Sequence, residues 1–472
     1  MTFPIKGGPS QISGSFDVVV VGGSLPAIVG ALLIKKQNPE MTVILIEGSS
    51  SLGGNLLGVD ALGDHFENGT HILQEIGDAE VDAIIKSAVD TKHLIQLDSS
   101  LGDVAGTIKN EKVWESTAYP DVFGQDSELA LRIMHQIKDL KVSNLGVVNK
   151  NKSSRDLDFE SAATERFGVL AKDFVLLPIV QRLFGKDEVL AGFAMELCNL
   201  MRLRLVDEVI WQNQIPQLEL QDRVAYPDQR LLPQLYKHNK KSLYSSHRGA
   251  VDFVEGLGNI CREAGIGIEL STKVLNIDMN HRSIDLEFNG DKQTVSFRYL
   301  LSCVGTTVTN TLLTGNRPKN RNRLKHRLVH LVLKSPMRIG ACYYYSHDVN
   351  SVIFRITNYA AFSGRSNDKR VTVEVIGAES LSDQLLLKTV ELELVRSQLI
   401  EKDSIKDSIC LSNLYGYPIP TVETFNQFNL DDSELREHEQ SGLVTCGLGV
   451  SGGLFFQNEI LLDLISKVRS NF

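Results

Sequence analysis

The residues with the clearest chemical potential are Gly22, Gly23, Ser24, Pro26, Ala27 and Glu47, all within Phe16 to Gly54, FDVVVVGGSLPAIVGALLIKKQNPEMTVILIEGSSSLGG. A glycine turn lets backbone approach a pyrophosphate, a helix N-terminus offers free N–H groups and a positive dipole end, and an acid after the next strand takes ribose hydroxyls. The spacing G-x-G-x-x-G would put glycine where Ser24 and Ala27 stand; these are the smallest replacements, so close approach is narrowed rather than blocked. The elements that position them follow from pattern. Val18 to Val21 reads as a buried parallel strand, Pro26 suits a first helical turn, and Ile28, Leu32 and Leu33 recur at helical spacing up to Gln37. Thr42 to Ile46 is a second strand ending on Glu47. This βαβ unit would serve packing equally well without a ligand.

The continuation Glu47-Gly48 through Gly53-Gly54-Asn55 adds a second glycine pair soon after the acid. Together these motifs resemble the extended FAD fingerprint of the flavoprotein superfamily that holds amine oxidases, protoporphyrinogen oxidases, phytoene desaturases and UDP-galactopyranose mutases. The resemblance implies FAD as cofactor. Family members often carry a basic residue in this segment, where Ser49, Ser50, Ser51 and Leu52 stand here.

Two later segments resemble the remaining pieces of such an FAD domain. In Ser246 to Val308, a helix after Arg248-Gly249-Ala250 carries Phe253, Val254, Leu257 and Ile260 on one face and closes at Gly265. A strand Gly267 to Leu270 follows, then Thr272-Lys273-Val274, similar to the family's adenine-side strand. Strands Ile284 to Phe288 and Gln293 to Phe297 form a hairpin at Asn289-Gly290, and Leu300 to Gly305 matches a strand and turn beside the nucleotide. At the C-terminus, strand Leu443 to Cys446 enters a turn containing Gly447, Gly449 and Gly453 before Leu454 and a helix with Ile460, Leu461, Leu464 and Ile465 on one face. Leu448 stands where the family usually has a polar residue.

Between them, His65-Phe66-Glu67-Asn68-Gly69-Thr70-His71-Ile72-Leu73 resembles the stretch that passes the flavin ring, and Gly-x-His-Ile is especially like the mutases. That makes Gly69 and Thr70 cofactor neighbours and His71 the candidate catalytic residue, against the plain alternative of a structural histidine. The segment Glu160 to Arg204 reads as helical and resembles a family cap. Strands at Leu328 to Leu333, Arg338 to Tyr345, Val352 to Ile356 and Val371 to Ile376 suggest a sheet that would floor a substrate cavity, with Arg355, Tyr359 and Tyr417 as candidate substrate contacts. His326 and His330 lack the acid of H-E-x-x-H, so no metal site is expected.

The implied fold class is α/β: a discontinuous Rossmann-like FAD-binding domain of the glutathione-reductase type with an inserted α+β cap. Boundaries fall at 16–85, 244–312 and 433–472 for the FAD domain, and at 86–243 and 313–432 for the cap. Chain length permits this, at 472 residues with 42% hydrophobic content. A formal net charge of −9 excludes a polybasic nucleic-acid binder, although Asn316 to Arg327 is a basic run inside an acidic chain. The stretches Asn149 to Arg155 and Ser363 to Arg370 read as solvated connections. Six scattered cysteines form no C-x-x-C clip and fit a reducing compartment. Met1 to Phe16 lacks a signal-peptide core, and no apolar run reaches membrane-spanning length. The expectation is a soluble cytoplasmic protein with a small-molecule partner, peripheral membrane contact and oligomeric state being left open.

The function the resemblance implies is hydride transfer from an organic substrate to flavin N5. Two alternatives stay open: a redox-neutral nucleotide-sugar mutase using reduced FAD, and a non-catalytic interaction protein that keeps the fold.

Overall fold

The computed structural model describes residues 14–98, 105–115, 117–140, 155–216, 220–233, 240–316, 323–324, 326–338, 340–378, 380–413 and 418–472. From the N-terminus the chain forms β1 (Ser15–Val21), α1 (Leu25–Gln37), β2 (Val43–Ile46) and α2 (Ala79–Ser87), then a hairpin of β3 (Ala105–Lys109) and β4 (Lys112–Trp114). Further helices follow, among them Ser127–Asp139, Phe159–Phe167 and Leu177–Phe184. The chain then returns through α3 (Ala250–Glu263), β5 (Gly267–Glu269), β6 (Thr272–Asp278), β7 (Ser283–Phe288), β8 (Asp291–Ser302) and α4 (Thr306–Thr314). It leaves again as β9 (His326–Leu333), β10 (Tyr343–Ser346), β11 (Ile353–Asn358), β12 (Arg370–Ile376), α5 (Asp383–Arg396), β13 (Ile405–Asn413) and α6 (Val422–Arg436), and closes with β14 (Leu443–Thr445) and α7 (Gln457–Asn471).

The first sheet runs β5-β2-β1-β8-β7-β6, with β14 also on β8. β5, β2, β1, β8 and β14 pair in parallel, which requires cover on both faces. The valines of β1 supply it: Val18 and Val20 face a core shared with α1, α3 and α7, while Val19 and Val21 face the core beneath β6 and β7. α1 is buried almost all round, from Leu25 to Ile34. One edge of β8 pairs antiparallel with β7 over its first half and parallel with β14 over its last three residues, while its other edge pairs with β1.

The second sheet, β13-β9-β12-β11-β10-β3-β4, is two-faced. Strand alternation puts Val329, Leu331, Val371, Val373, Val375, Ile356 and Tyr344 against α5 residues Leu386, Val390 and Leu394. The register places His326, His330, Thr372, Glu374, Arg355, Thr357, Tyr343 and Tyr345 on the other face. That polar face looks toward the stretch Glu67 to His71.

Several sequence expectations differ in detail. The strand expected over Arg338 to Tyr345 begins only at Tyr343, and β3, β4 and β13 complete the sheet where none was expected. Arg370, read as part of a solvated loop, is 3% exposed and packs inside. Among the described residues no helix is long and apolar enough to cross a membrane.

Candidate functional site

The glycine turn after β1 is tight. Gly22 has φ +101°, a conformation that favours glycine, and its N–H donates to the Ile46 carbonyl at 2.9 Å. α1 then starts at Leu25 with Pro26 in its first turn and no side-chain cap from Ser24. An uncapped, buried N-terminus leaves donors and the positive dipole end for something else. Ala27 is fully buried, and the small side chain keeps this corner narrow.

Glu47 faces the turn. One carboxylate oxygen accepts the Gly23 N–H at 2.6 Å and the other accepts the Ser49 N–H at 2.7 Å and hydroxyl at 2.6 Å. The second glycine pair crosses behind it, the Gly53 N–H donating to the Gly23 carbonyl at 2.7 Å. Gly53 and Gly54 both have positive φ, and a methyl group on Gly48 or Gly54 would meet nothing within 4 Å. This is open backbone beside a helix N-terminus. Asn55 is exposed at its rim, and Val274 lies half-buried on β6 beside a bulge.

The C-terminal glycines sit differently. Gly305 (φ +82°) and Gly447 (φ +112°) press their backbones together, and the first N–H of α4, from Thr306, donates to the Leu448 carbonyl at 3.0 Å. A Cβ on Gly449 would lie 2.7 Å from Phe428, and one on Gly453 would lie 2.8 Å from Phe425. Leu448 joins the same apolar cluster, and the Leu454 carbonyl takes the Gly449 N–H at 2.9 Å. These glycines let α6 seat its aromatics on the chain, so their backbone is spent on packing.

At the polar face of the second sheet, Glu374 is fully buried. Arg355 grips it with two bonds, Nε at 2.5 Å and Nη2 at 3.0 Å, and His326 Nε2 lies 3.2 Å away. The Thr70 N–H donates to the same carboxylate at 3.2 Å, and the Thr70 and Thr357 hydroxyls share a hydrogen bond of 2.6 Å. A Cβ on Gly69, at φ +115°, would come within 3.0 Å of Glu374. Burial pushes the Glu374 carboxyl up, but Arg355 and His326 outweigh it and hold it down at about 2. His71 follows directly. Its Nε2 is occluded and meets no acceptor or donor, and burial, with Arg355 nearby, pushes its pKa down to about 4. The ring is neutral at physiological pH.

A second buried layer holds Glu67, Tyr244, Tyr359 and Arg370. Glu67 Oε1 accepts the Ala250 N–H at 2.9 Å and so caps α3 from far along the chain. Burial raises its carboxyl to about 8. Tyr359 is wholly buried; its hydroxyl accepts the Glu67 N–H at 2.9 Å and bonds Thr372 at 3.0 Å. Arg370 lies 4.4 Å over the Tyr359 ring and pairs with Asp368 at 2.7 Å. Of the candidate substrate contacts, then, Arg355 stands on the polar face, Tyr359 is spent in the core, and Tyr417 lies outside the described residues, as does most of the basic run Asn316 to Arg327. Sequence reading missed Glu374 and His326 as a unit with Arg355. Among the described residues no group of three or more metal-ligating side chains occurs.

No family model matches the sequence, and no curated protein does. Solved structures match over nearly the whole chain. Reduced UDP-galactopyranose mutase aligns with a TM-score of 0.69 at 13% identity, covering 96% of this chain and 94% of that one. A protein from Exiguobacterium sp. assigned as a protoporphyrinogen oxidase aligns with a TM-score of 0.63 at 15% identity, covering 96% and 98%. Putrescine oxidase bound to putrescine aligns with a TM-score of 0.58 at 11% identity, covering 97% and 99%. The chain has the mixed α/β fold of the flavin amine oxidase-like proteins.

Proposed function

We propose that this chain is an FAD-dependent oxidoreductase acting on a small organic substrate. The observation that carries the reading is the uncapped N-terminus of α1, buried behind Gly22 and Gly23 and beside the open backbone of Gly48 and Gly54. These residues fit a dinucleotide: Gly22, Gly23, Ser24, Pro26, Ala27, Gly53, Gly54 and Asn55 would line its diphosphate, Glu47 and Gly48 its ribose, and Val274 its adenine. Gly69 and Thr70 would pass its ring. Gly305, Gly447, Gly449, Gly453 and Leu454 would contribute through shape alone, since aromatics and carbonyls occupy their backbone. When bound, FAD supplies a two-electron acceptor, and the protein supplies position and dryness.

The chain's own chemistry is then proton management at a fixed floor. Neutral His71 is the candidate proton acceptor, and its occluded Nε2 would have to turn out of its pocket to meet a substrate proton. Arg355, already neutralised by Glu374, acts as a rigid donor rather than a free cation, so it would orient a polar substrate atom without demanding an anion.

Visible absorption of the purified protein tests the cofactor; a flavin spectrum or stoichiometric FAD uptake is expected, and a colourless protein that takes up none overturns the reading. His71→Ala should keep the flavin while substrate-driven anaerobic bleaching slows about 10²- to 10⁴-fold. Unchanged bleaching would remove His71 from the chemistry.

A further inference from the structure

On the cap, three short segments meet side by side through isolated bridges. Asp121 pairs with Arg204, and Leu203 with Val224, as parallel bridges. Arg204 N–H donates to the Pro120 carbonyl at 3.0 Å, and Leu203 N–H to the Arg223 carbonyl at 3.0 Å. Extended chain alternates its side chains. Leu203 and Val224, wholly buried, take the side of the cap core. Arg202 and Arg204, flanking Leu203, take the other side; Asp121 pairs with Arg204 there, Tyr119 lies beneath Arg202, and Arg223, closing the turn before Val224, joins Arg202 in acting on Arg166.

The charges on that side do not balance. Arg204 is met by Asp121 at 2.5 Å, and nearby Arg230 is met by Asp228 at 2.6 Å. Arg166 reaches the same corner from behind, donating to the carbonyls of Met201 (3.0 Å) and Asp222, with the Asp222 carboxylate at 3.3 Å. Arg202 lies 5.8 Å over the Tyr119 ring, and Arg223 is 4% exposed with Nη1 meeting no acceptor. Neither Arg202 nor Arg223 has a carboxylate partner among the described residues. Burial and the charges of Arg223 and Arg202 also hold Arg166 below its ordinary pKa, although Asp222 opposes them. A protein does not gather guanidinium groups in a half-dry corner, one of them buried and unanswered, without cost.

We propose that Tyr119, Arg202, Arg204 and Arg223 form a binding site for the phosphoryl group of a small molecule. Two cations without carboxylate partners among the described residues call for a dianion rather than a single carboxylate, and paired guanidinium forks match the tetrahedral oxygens of phosphate. The site shares no residue with the glycine turn, so it stands or falls separately from flavin binding.

Calorimetric titration of the full-length protein, with FAD in excess to fill the glycine turn, tests the site using inorganic phosphate, pyrophosphate and acetate at matched ionic strength. Saturable binding of phosphate or pyrophosphate but not acetate is expected, weakened at least tenfold by Arg202→Gln, which alters a half-exposed residue and should fold. Arg223→Met should also weaken binding at least tenfold and raise the melting temperature of the unliganded protein, because it removes an unanswered buried charge; a purely structural arginine would lower it. Absence of saturable binding at millimolar phosphate or pyrophosphate, or full affinity in the double variant Arg202→Gln/Arg223→Met, overturns the proposal. Co-sedimentation with phosphatidic acid vesicles in the absence of binding to soluble phosphate would assign the chemistry to a lipid headgroup and overturn the small-molecule assignment.

Discussion

Glu67 is a carboxyl deprived of water, and its position explains both its proton and its neighbours. One oxygen caps α3 through Ala250, the other meets no partner, and burial raises the group to about 8. Because the folded pKa exceeds the unfolded value of 4.5, the proton stabilises the fold fully below that value, and this contribution is lost as pH rises through 8. Glu67→Gln keeps an oxygen for the Ala250 N–H and has no proton to lose. Urea unfolding should therefore find the variant relatively more stable at pH 9 than at pH 5, by on the order of 3 kcal/mol; parallel pH profiles would refute it. The sequence displayed Glu67 within a recognisable motif, whereas Glu374 was invisible in RVTVEVI, an ordinary alternating strand. What makes Glu374 matter is the register that sets Arg355 and His326 beside it, and register depends on partners far along the chain. The cap arginines were hidden for the same reason, since the segments carrying Tyr119, Arg202 and Arg223 are joined only by the isolated bridges Asp121–Arg204 and Leu203–Val224.

Among the elements, those with local signatures were legible. The βαβ unit, the hairpin at Asn289-Gly290 and the C-terminal helix all announce themselves through periodicity and turn chemistry. β13 did not, because an edge strand has one neighbour and mixes polar with apolar residues, as in IKDSICLSN. Helix contacts hold a further surprise at Gly256, inside α3, where helix propensity alone would favour alanine by about 1 kcal/mol. A Cβ there would overlap the Ala88 carbonyl just beyond α2, and backbone cannot swing aside. Gly256→Ala should thus destabilise the protein by about 2 kcal/mol despite its better propensity. A rise in melting temperature would show that α2 shifts freely against α3.

At the scale of the whole molecule, the parallel sheet draws its strands from three separated stretches, ending with β14 beside β8. A chain ending at Glu439 loses β14 and with it the α7 residues Leu461, Leu464 and Val468, which belong to the core against α1. It should unfold without a sharp transition and bind the dye ANS, the marks of a collapsed but unpacked state; cooperative unfolding with an unchanged urea slope would contradict this. The late arrival of β14 also sets a clock on synthesis. Leu301 and its partner Val444 stand about 140 residues apart, so at about 5–20 residues per second the ribosome needs roughly 7 to 30 seconds to make the second after the first. Through that interval the C-terminal part of one edge of β8 stays bare, an unpaired strand edge open to wrong pairing until β14 has been made.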